Sequence, residues 1–161
     1  MPTGKTKDLP HNIEAERSVL ACCMLNGDFA AKYAPTLSAR DFYRPTHQSL
    51  IVAIRSLVSK GRACDQITVF DYLESRGSKV GRSEVVSICD NTYAFVEAQS
   101  HLEIVRRCSL QRRIIACCAE IEAMAYDPQE DAESVRQQAV AAIMALVSEP
   151  DGAAADGPDE P

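Results

Sequence analysis

The feature that most constrains this chain is a pair of helical patterns between residues 94 and 147, interrupted at residues 126–129. Pro128 has no backbone N–H and disfavours helical dihedral angles at the residue before it. Asp131, just beyond the break, is a typical N-cap for a new helix. We therefore predict two antiparallel helices joined by a short turn, which together form a helical hairpin.

Each arm of the hairpin carries an apolar stripe. The apolar residues recur at spacings of three and four, which keeps them on one face of a helix. We expect the two stripes to pack against each other as a seam. The seam consists of Leu110, Ile114, Cys117, Ile121 and Met124 on the first arm and Ala132, Val135, Ala139, Ala142 and Leu146 on the second.

A second apolar side remains on each arm after this pairing. A solvated hairpin needs only one stripe per arm, so the surplus must meet either the rest of this chain or another copy. The residues concerned are the predicted partner interface: Ile104, Cys108, Ile115, Cys118, Val140, Ile143, Met144 and Val147. All of them except Ile104 and Cys108 are expected to be exposed in an isolated chain and buried between chains.

The residues before the hairpin, 9–93, predict a head of short helices, with the aromatic side chains of Phe42 and Tyr43 as core anchors. No segment alternates long enough to indicate a sheet. The predicted fold is therefore all-α, with a globular head of short helices followed by a long antiparallel hairpin at 94–148. Helix starts are expected at Asn12, Asp28, Thr46 and Thr68, and helix ends at Asn26-Gly27, Gly61 and Gly77.

Both ends of the chain differ from the rest. Residues 1–8 form a polar arm, and residues 149–161 contain only Pro, Gly, Ala, Asp and Glu. Neither stretch can bury enough apolar surface to offset its ordering entropy, so both are expected to be disordered.

Five of the 23 acidic residues lie in 149–161, which leaves the remainder of the chain close to neutral despite the net charge of −6. DNA binding by this chain alone is therefore not expected, because such proteins usually carry a basic excess.

No catalytic, cofactor or metal site emerges from the motifs. Gly4-Lys5-Thr6 lacks the preceding strand and glycine of a phosphate-binding loop. The seven cysteines lie mostly in helical apolar patterns and include two adjacent pairs, which predicts buried thiols rather than a disulfide framework. His47 is expected to pack or cap near a helix start, and Glu14 and Glu16 to complement a helix dipole.

The chain shows no apolar run long enough to span a membrane and no secretory signal, so we expect a cytoplasmic location.

Four arginines form a basic zone on the first hairpin arm: Arg106, Arg107, Arg112 and Arg113. They are candidate nucleic-acid contacts, but a solvated face is favoured, because Glu103 stands four residues before Arg107 and can pair with it. Nucleic-acid binding through these arginines remains the alternative function.

Four stretches follow one another in a characteristic order: Leu9-Pro10-His11-Asn12-Ile13-Glu14-Ala15-Glu16-Arg17-Ser18-Val19-Leu20, Asp41-Phe42-Tyr43 with His47, Asp65-Gln66-Ile67-Thr68-Val69, and Ile104-Val105-Arg106 with Arg113. In this order they resemble the N-terminal domain of the bacterial replicative DNA helicase, the DnaB type. The resemblance covers roughly residues 9–147. The chain departs from the family at Gly81-Arg82, where a Gly-Gly pair is common, and at Cys22-Cys23, where small residues are common.

The resemblance implies an all-helical domain in which hairpins pair, so that the collar of a hexamer forms as a trimer of dimers. It also implies binding to primase. The RecA-like ATPase motor of the family belongs to a separate domain, and we expect that motor and any enzymatic activity to be absent from this chain. The expected function is a non-enzymatic oligomerisation and protein-interaction module of DNA replication, which self-associates through the hairpin and binds primase or helicase.

Overall fold

The computed structural model describes residues 8–90 and 97–148. Within these ranges the chain forms α-helices and two short 3-10 turns and contains no strand, which confirms the all-α prediction. Residues 1–7 of the predicted arm at 1–8, the predicted tail at 149–161 and residues 91–96 lie outside the described residues. The helices are α1 (Ile13–Leu25), α2 (Gly27–Tyr33), α3 (Pro45–Ser59), α4 (Gln66–Ser75), α5 (Arg82–Cys89), α6 (Ala98–Tyr126) and α7 (Ala132–Ser148), and the 3-10 turns are Ala34–Thr36 and Ala39–Asp41.

The centre of the head is α1, which packs against α2, α3, α5 and α6. Residues on several sides of α1 are buried, including Val19, Leu20 and Cys23, none of which is exposed to solvent. A helix that is apolar on more than one side can only be stable when neighbours surround it. Helices α2, α3, α5 and α6 therefore surround α1, and α4 packs on the outside against α3 and α5.

The predicted helix ends are partly confirmed. Gly61 and Gly77 adopt positive φ angles of 63° and 67°, as expected for left-handed helix ends. The prediction for Asn26-Gly27 is wrong, because Asn26 is extended, with φ −135°, and no left-handed residue occurs there. Asn26 instead caps α2 by accepting the N–H of Phe29 at 3.1 Å, the role that the sequence predicts for Asp28.

The start of α4 also differs from the prediction. Asp65, not Thr68, is the N-cap, and its carboxylate accepts the N–H groups of Ile67 and Thr68 at 2.9 Å. The hydroxyl of Thr68 accepts the N–H of Asp65 in return. The two residues form a reciprocal capping box, in which Thr68 takes the position usually held by an acid or amide.

The longest helix, α6, belongs to both the head and the hairpin. Ala98, Leu102 and Val105 in its first half are buried in the core of the head. Its second half runs beside α7. The hairpin is thus an extension of a core helix, so its direction is set by the packing of the head.

The predicted seam is covered only in part, and Ala132 beside the turn is exposed. Cys117 is buried, and Ile121, Met124, Val135 and Leu146 are half-buried. At the end nearer the head, Leu110 and Ile114 are 43% and 44% exposed, so the prediction that they are covered by the second arm is wrong. None of the helices in the two described ranges combines the length and apolar character needed to cross a membrane.

Candidate functional site

The outer surface of the hairpin is strongly apolar. Six of the predicted interface residues are exposed in the single chain: Ile115, Cys118, Val140, Ile143, Met144 and Val147. Among the aliphatic and Met residues of this set, the exposed fraction of the residue ranges from 45% for Ile115 to 77% for Val147. On α7 the four exposed residues follow the spacing i, i+3, i+4 and i+7, which places them on one face. At roughly 100° per residue, that face lies about a quarter of a turn around α7 from the seam residues. An exposed set of this size on two neighbouring helices is typical of an interaction surface.

The other two residues of the predicted interface lie against the head in the single chain. Cys108 is only 7% exposed within the single chain, and Ile104 packs against the core of the head. Both lie on the part of α6 that contacts α1, so the head itself covers the apolar surplus there. The apolar pattern is compatible with burial by the same chain or by another copy, and periodicity alone does not distinguish the two.

Arg112 fixes the hairpin to the head. Its Nη1 donates to the carbonyl oxygen of Pro10 at 2.7 Å, and its Nη2 donates to those of Asp41 at 2.9 Å and Arg40 at 3.2 Å. The planar guanidinium presents donors in fixed directions, which suits several acceptors at once. One side chain of α6 thus holds both the segment before α1 and the second 3-10 turn.

A second set of polar contacts lies one turn closer to the head. Ser109 donates to Asp41 Oδ1 at 2.7 Å, and Arg106 Nη2 donates to Thr36 Oγ1 at 2.8 Å. Asp41 Oδ2 accepts the N–H of Ser38 at 2.7 Å. Together with Arg112, these bonds define what we call the head–hairpin junction.

The junction changes the interpretation of the hairpin arginines. Arg106 and Arg112 belong neither to a solvated face nor to a free basic patch, because their guanidinium groups bind oxygen atoms of the head. Arg107 is exposed, and Arg113 is half-buried beside Arg40. The four arginines therefore do not form one continuous surface for a phosphate backbone.

The segment before α1 also docks at the junction. The ring of His11 stacks on Tyr43, with ring centroids 4.2 Å apart and an angle of 8° between the planes. The guanidinium carbon of Arg112 lies 6.0 Å from the centroid of the same tyrosine ring. Tyr43 is 37% exposed, so it is not the core anchor that was expected, whereas Phe42 is buried as predicted.

Glu16 and His47 form a buried polar pair beneath the junction. His47 Nδ1 lies 2.7 Å from Glu16 Oε2, and the N–H of Tyr43 donates to Glu16 Oε1 at 2.7 Å. Glu16 is 1% exposed and His47 is not exposed at all. Glu16 lies in the first turn of α1, as predicted for a dipole complement, but it is buried and also connects α1 to α3 and to the turn at Tyr43. His47 packs near a helix start, as predicted.

One further cluster resembles a catalytic arrangement in its residue types. Ser18 Oγ lies 2.7 Å from His101 Nδ1, and His101 Nε2 lies 3.7 Å from Glu97 Oε2. Ser18 is only 2% exposed, however, so a substrate carbonyl has no access to its hydroxyl. The contact connects α1 to α6, and we assign it a structural role.

The seven cysteines are thiols and not disulfides, and five of them are buried, as predicted: Cys22, Cys23, Cys89, Cys108 and Cys117. Burial raises the pKa of the Cys22 thiol to about 11 and, with the charge of Asp65, that of Cys64 to about 12. Such thiols remain protonated near neutral pH and are poor nucleophiles. In the described residues, no group of three or more His, Cys, Asp and Glu side chains is placed to hold a metal ion.

Comparison with known proteins gives a consistent result. The family model described as DnaB-like helicase N terminal domain matches residues 8–107. The chain is also similar to a solved structure, the N-terminal domain of DnaB helicase from Mycobacterium tuberculosis. That match has a TM-score of 0.77 and 28% sequence identity, and it covers 84% of this chain and 98% of the other.

Curated relatives show the same similarity over only part of their length. The chain is 30% identical over 128 residues to the replicative DNA helicase DnaB of Buchnera aphidicola, covering 78% of this chain and 28% of the relative. It is 29% identical over 141 residues to the replicative DNA helicase DnaC of Bacillus subtilis, covering 84% and 30%. The chain thus spans less than a third of the length of these relatives.

Proposed function

Because the chain belongs to the DnaB-like helicase N-terminal domain family, we propose that it is a non-enzymatic oligomerisation and interaction module of DNA replication, acting in the cytoplasm. The observation that carries this proposal is the apolar outer surface of the hairpin. Large apolar side chains on two adjacent helices are exposed in the single chain, among them Ile115, Ile143 and Met144. Covering such side chains is favourable by roughly 25 cal/mol per Å² of apolar area removed from water.

A second copy of the same hairpin is the partner that this surface suits best. Two-fold pairing buries the same face on both copies, so one apolar stripe is enough to build a self-complementary interface. Four helices would then pack around a common core, which is a standard way for helical pairs to bury a second face. Further association of such dimers, up to a trimer of dimers, is part of the proposal.

The partners in replication follow from the relatives, which are replicative DNA helicases. We propose that the module joins a replicative helicase or binds primase, and we assign no enzymatic step to this chain. The alternative, nucleic-acid binding through the hairpin arginines, has weaker support. Arg106 and Arg112 already donate to the head, which leaves them unsuited to phosphate contacts.

The double substitution Ile115→Asp with Met144→Asp tests the proposed self-association. Each aspartate would place a charge in a dry interface, at a cost of several kcal/mol, so we expect the dimer Kd to rise by roughly 100-fold or more. Size-exclusion chromatography with light scattering measures the mass over a range of protein concentrations.

The matched control is Ile67→Asp. Ile67 is an isoleucine of α4 with 69% exposure, and an acid near that helix start is favourable to folding. The control should associate like the unmodified chain. A monomeric unmodified chain at high concentration, or equal association of the double variant and the control, contradicts the proposal.

The exposed thiol of Cys118 allows a test without an interface mutation. Cys118 is exposed in the single chain, whereas the thiols with raised pKa values react slowly. We expect the alkylation rate of Cys118 to fall by roughly tenfold as the protein concentration is raised through the dimer Kd. Mass spectrometry of the labelled peptide reports the rate. A rate that is independent of concentration, in a sample whose mass shows dimers, would place the interface away from this face.

A further inference from the structure

The exposed apolar face of α6 has opposite charges at its two ends. Its apolar part consists of Ile114, Ile115 and Cys118, all exposed in the single chain. Arg107 follows on the side of the head and Glu122 on the side of the turn, and both are exposed. At roughly 100° per residue, the five side chains lie within an arc of about 100° around the helix axis. One apolar surface therefore has a base at one end and an acid at the other.

Arg107 and Glu122 cannot pair with each other within one chain. They lie on one continuous helix, and the rise of about 1.5 Å per residue separates them by about 22 Å. Within residues 8–90 and 97–148, neither side chain has a hydrogen bond or an ion pair. This includes the pair with Glu103 that the spacing of four residues allows. Both charges can therefore bind a partner outside the chain.

A second copy of α6 supplies the complementary charges when it runs in the opposite direction. In such a two-fold pair, Arg107 of each copy faces Glu122 of the other. Ile114 of each copy then faces Ile115 of the other, so the apolar side chains meet between the two charged contacts. A parallel pair would instead bring Arg107 against Arg107 and Glu122 against Glu122, and such like-charge contacts oppose association.

We propose that two copies pair through antiparallel α6 helices, in the register that places Arg107 of one copy opposite Glu122 of the other. The inference rests on the proposed self-association through the hairpin, and it specifies the direction and register of that association. Exposed ion pairs contribute little to stability, so burial of apolar surface drives the pairing and the charges select one arrangement among several. The turn of each hairpin then lies beside the head-proximal end of the other hairpin.

A charge-exchange cycle tests this register. Arg107→Glu creates two like-charge contacts in each dimer, and so does Glu122→Arg, so we expect either change to raise the dimer Kd by about tenfold. The double variant restores both attractive contacts, and its Kd should return to within about threefold of that of the unmodified chain. Sedimentation velocity over a range of protein concentrations, at about 50 mM NaCl to limit screening, gives each Kd. Rescue requires contact between chains, because the two positions are too far apart to meet in one chain.

The matched control reverses an acid on the opposite side of α6. Glu120 is exposed and lies about 160° around the helix from Glu122, so Glu120→Arg should not rescue Arg107→Glu. Losses that simply add in the Arg107→Glu, Glu122→Arg variant, or equal rescue by Glu120→Arg, would overturn the register. A dimeric unmodified chain would still support the hairpin interface in that case. An unmodified chain that stays monomeric would contradict the proposed self-association itself, and the register with it.

Discussion

Replacing Glu16 with alanine is expected to lower the free energy of unfolding by about 3–5 kcal/mol, because the change breaks a buried polar pair. The carboxylate accepts the N–H of Tyr43 and lies 2.7 Å from His47 Nδ1. Both of these groups would lose their partner in a site from which water is excluded. His47 Nε2 is already without a hydrogen-bond partner in the described part of the chain, so the ring would then be unpaired at both nitrogens.

Urea unfolding followed by circular dichroism measures this change, with an unchanged m-value as the sign of an intact two-state transition. The matched control is Glu14→Ala, because Glu14 lies in the same helical turn but is exposed. Its loss should cost a few tenths of a kcal/mol through the helix dipole. Glu16→Gln should fall between the two, because an amide oxygen still accepts the N–H of Tyr43. A loss for Glu16→Ala no larger than that for Glu14→Ala would contradict the structural role assigned here.

The hairpin and the all-helical head could be predicted from the sequence because their signals are local. The break at Pro128 and the glycines at 61 and 77 each act within a few residues of themselves. Cap positions were predicted less accurately. Neighbouring side chains such as Asp65 and Thr68 are both able to cap, and the choice depends on where the preceding chain enters the helix.

Periodicity predicts that a helix face is buried, but it does not predict which part of the protein, or which other copy, buries each apolar residue. Cys108 and Cys118 lie ten positions apart on the same helix, but the first is covered by the head and the second is exposed. The difference arises because α6 leaves the head between them. Glu16 shows the same limit, since its partners His47 and Tyr43 lie 31 and 27 residues away and no local pattern connects them.

Replacing Arg112 with alanine is expected to destabilise the chain by about 2–3 kcal/mol and to loosen the junction. Three carbonyl oxygens, of Pro10, Arg40 and Asp41, would lose a charged donor, and each such bond contributes about 0.5–1.5 kcal/mol. Arg112→Lys should restore little of the loss, because one ammonium group cannot reach acceptors in two directions. Urea unfolding gives the free-energy change, and Arg107→Ala, at an exposed arginine of the same helix, is the matched control.

Hydrogen exchange distinguishes loosening of the junction from a uniform loss of stability. The segment before α1 is held by Arg112 at Pro10, and the second 3-10 turn is held at Arg40 and Asp41. Amides at the start of α1 and in that turn should therefore exchange at least tenfold faster in Arg112→Ala, and by more than global unfolding alone predicts. Amides of α3 and α4, which do not contact Arg112, report the global change. Equal acceleration in all helices would mean that Arg112 stabilises the fold without fixing the hairpin to the head.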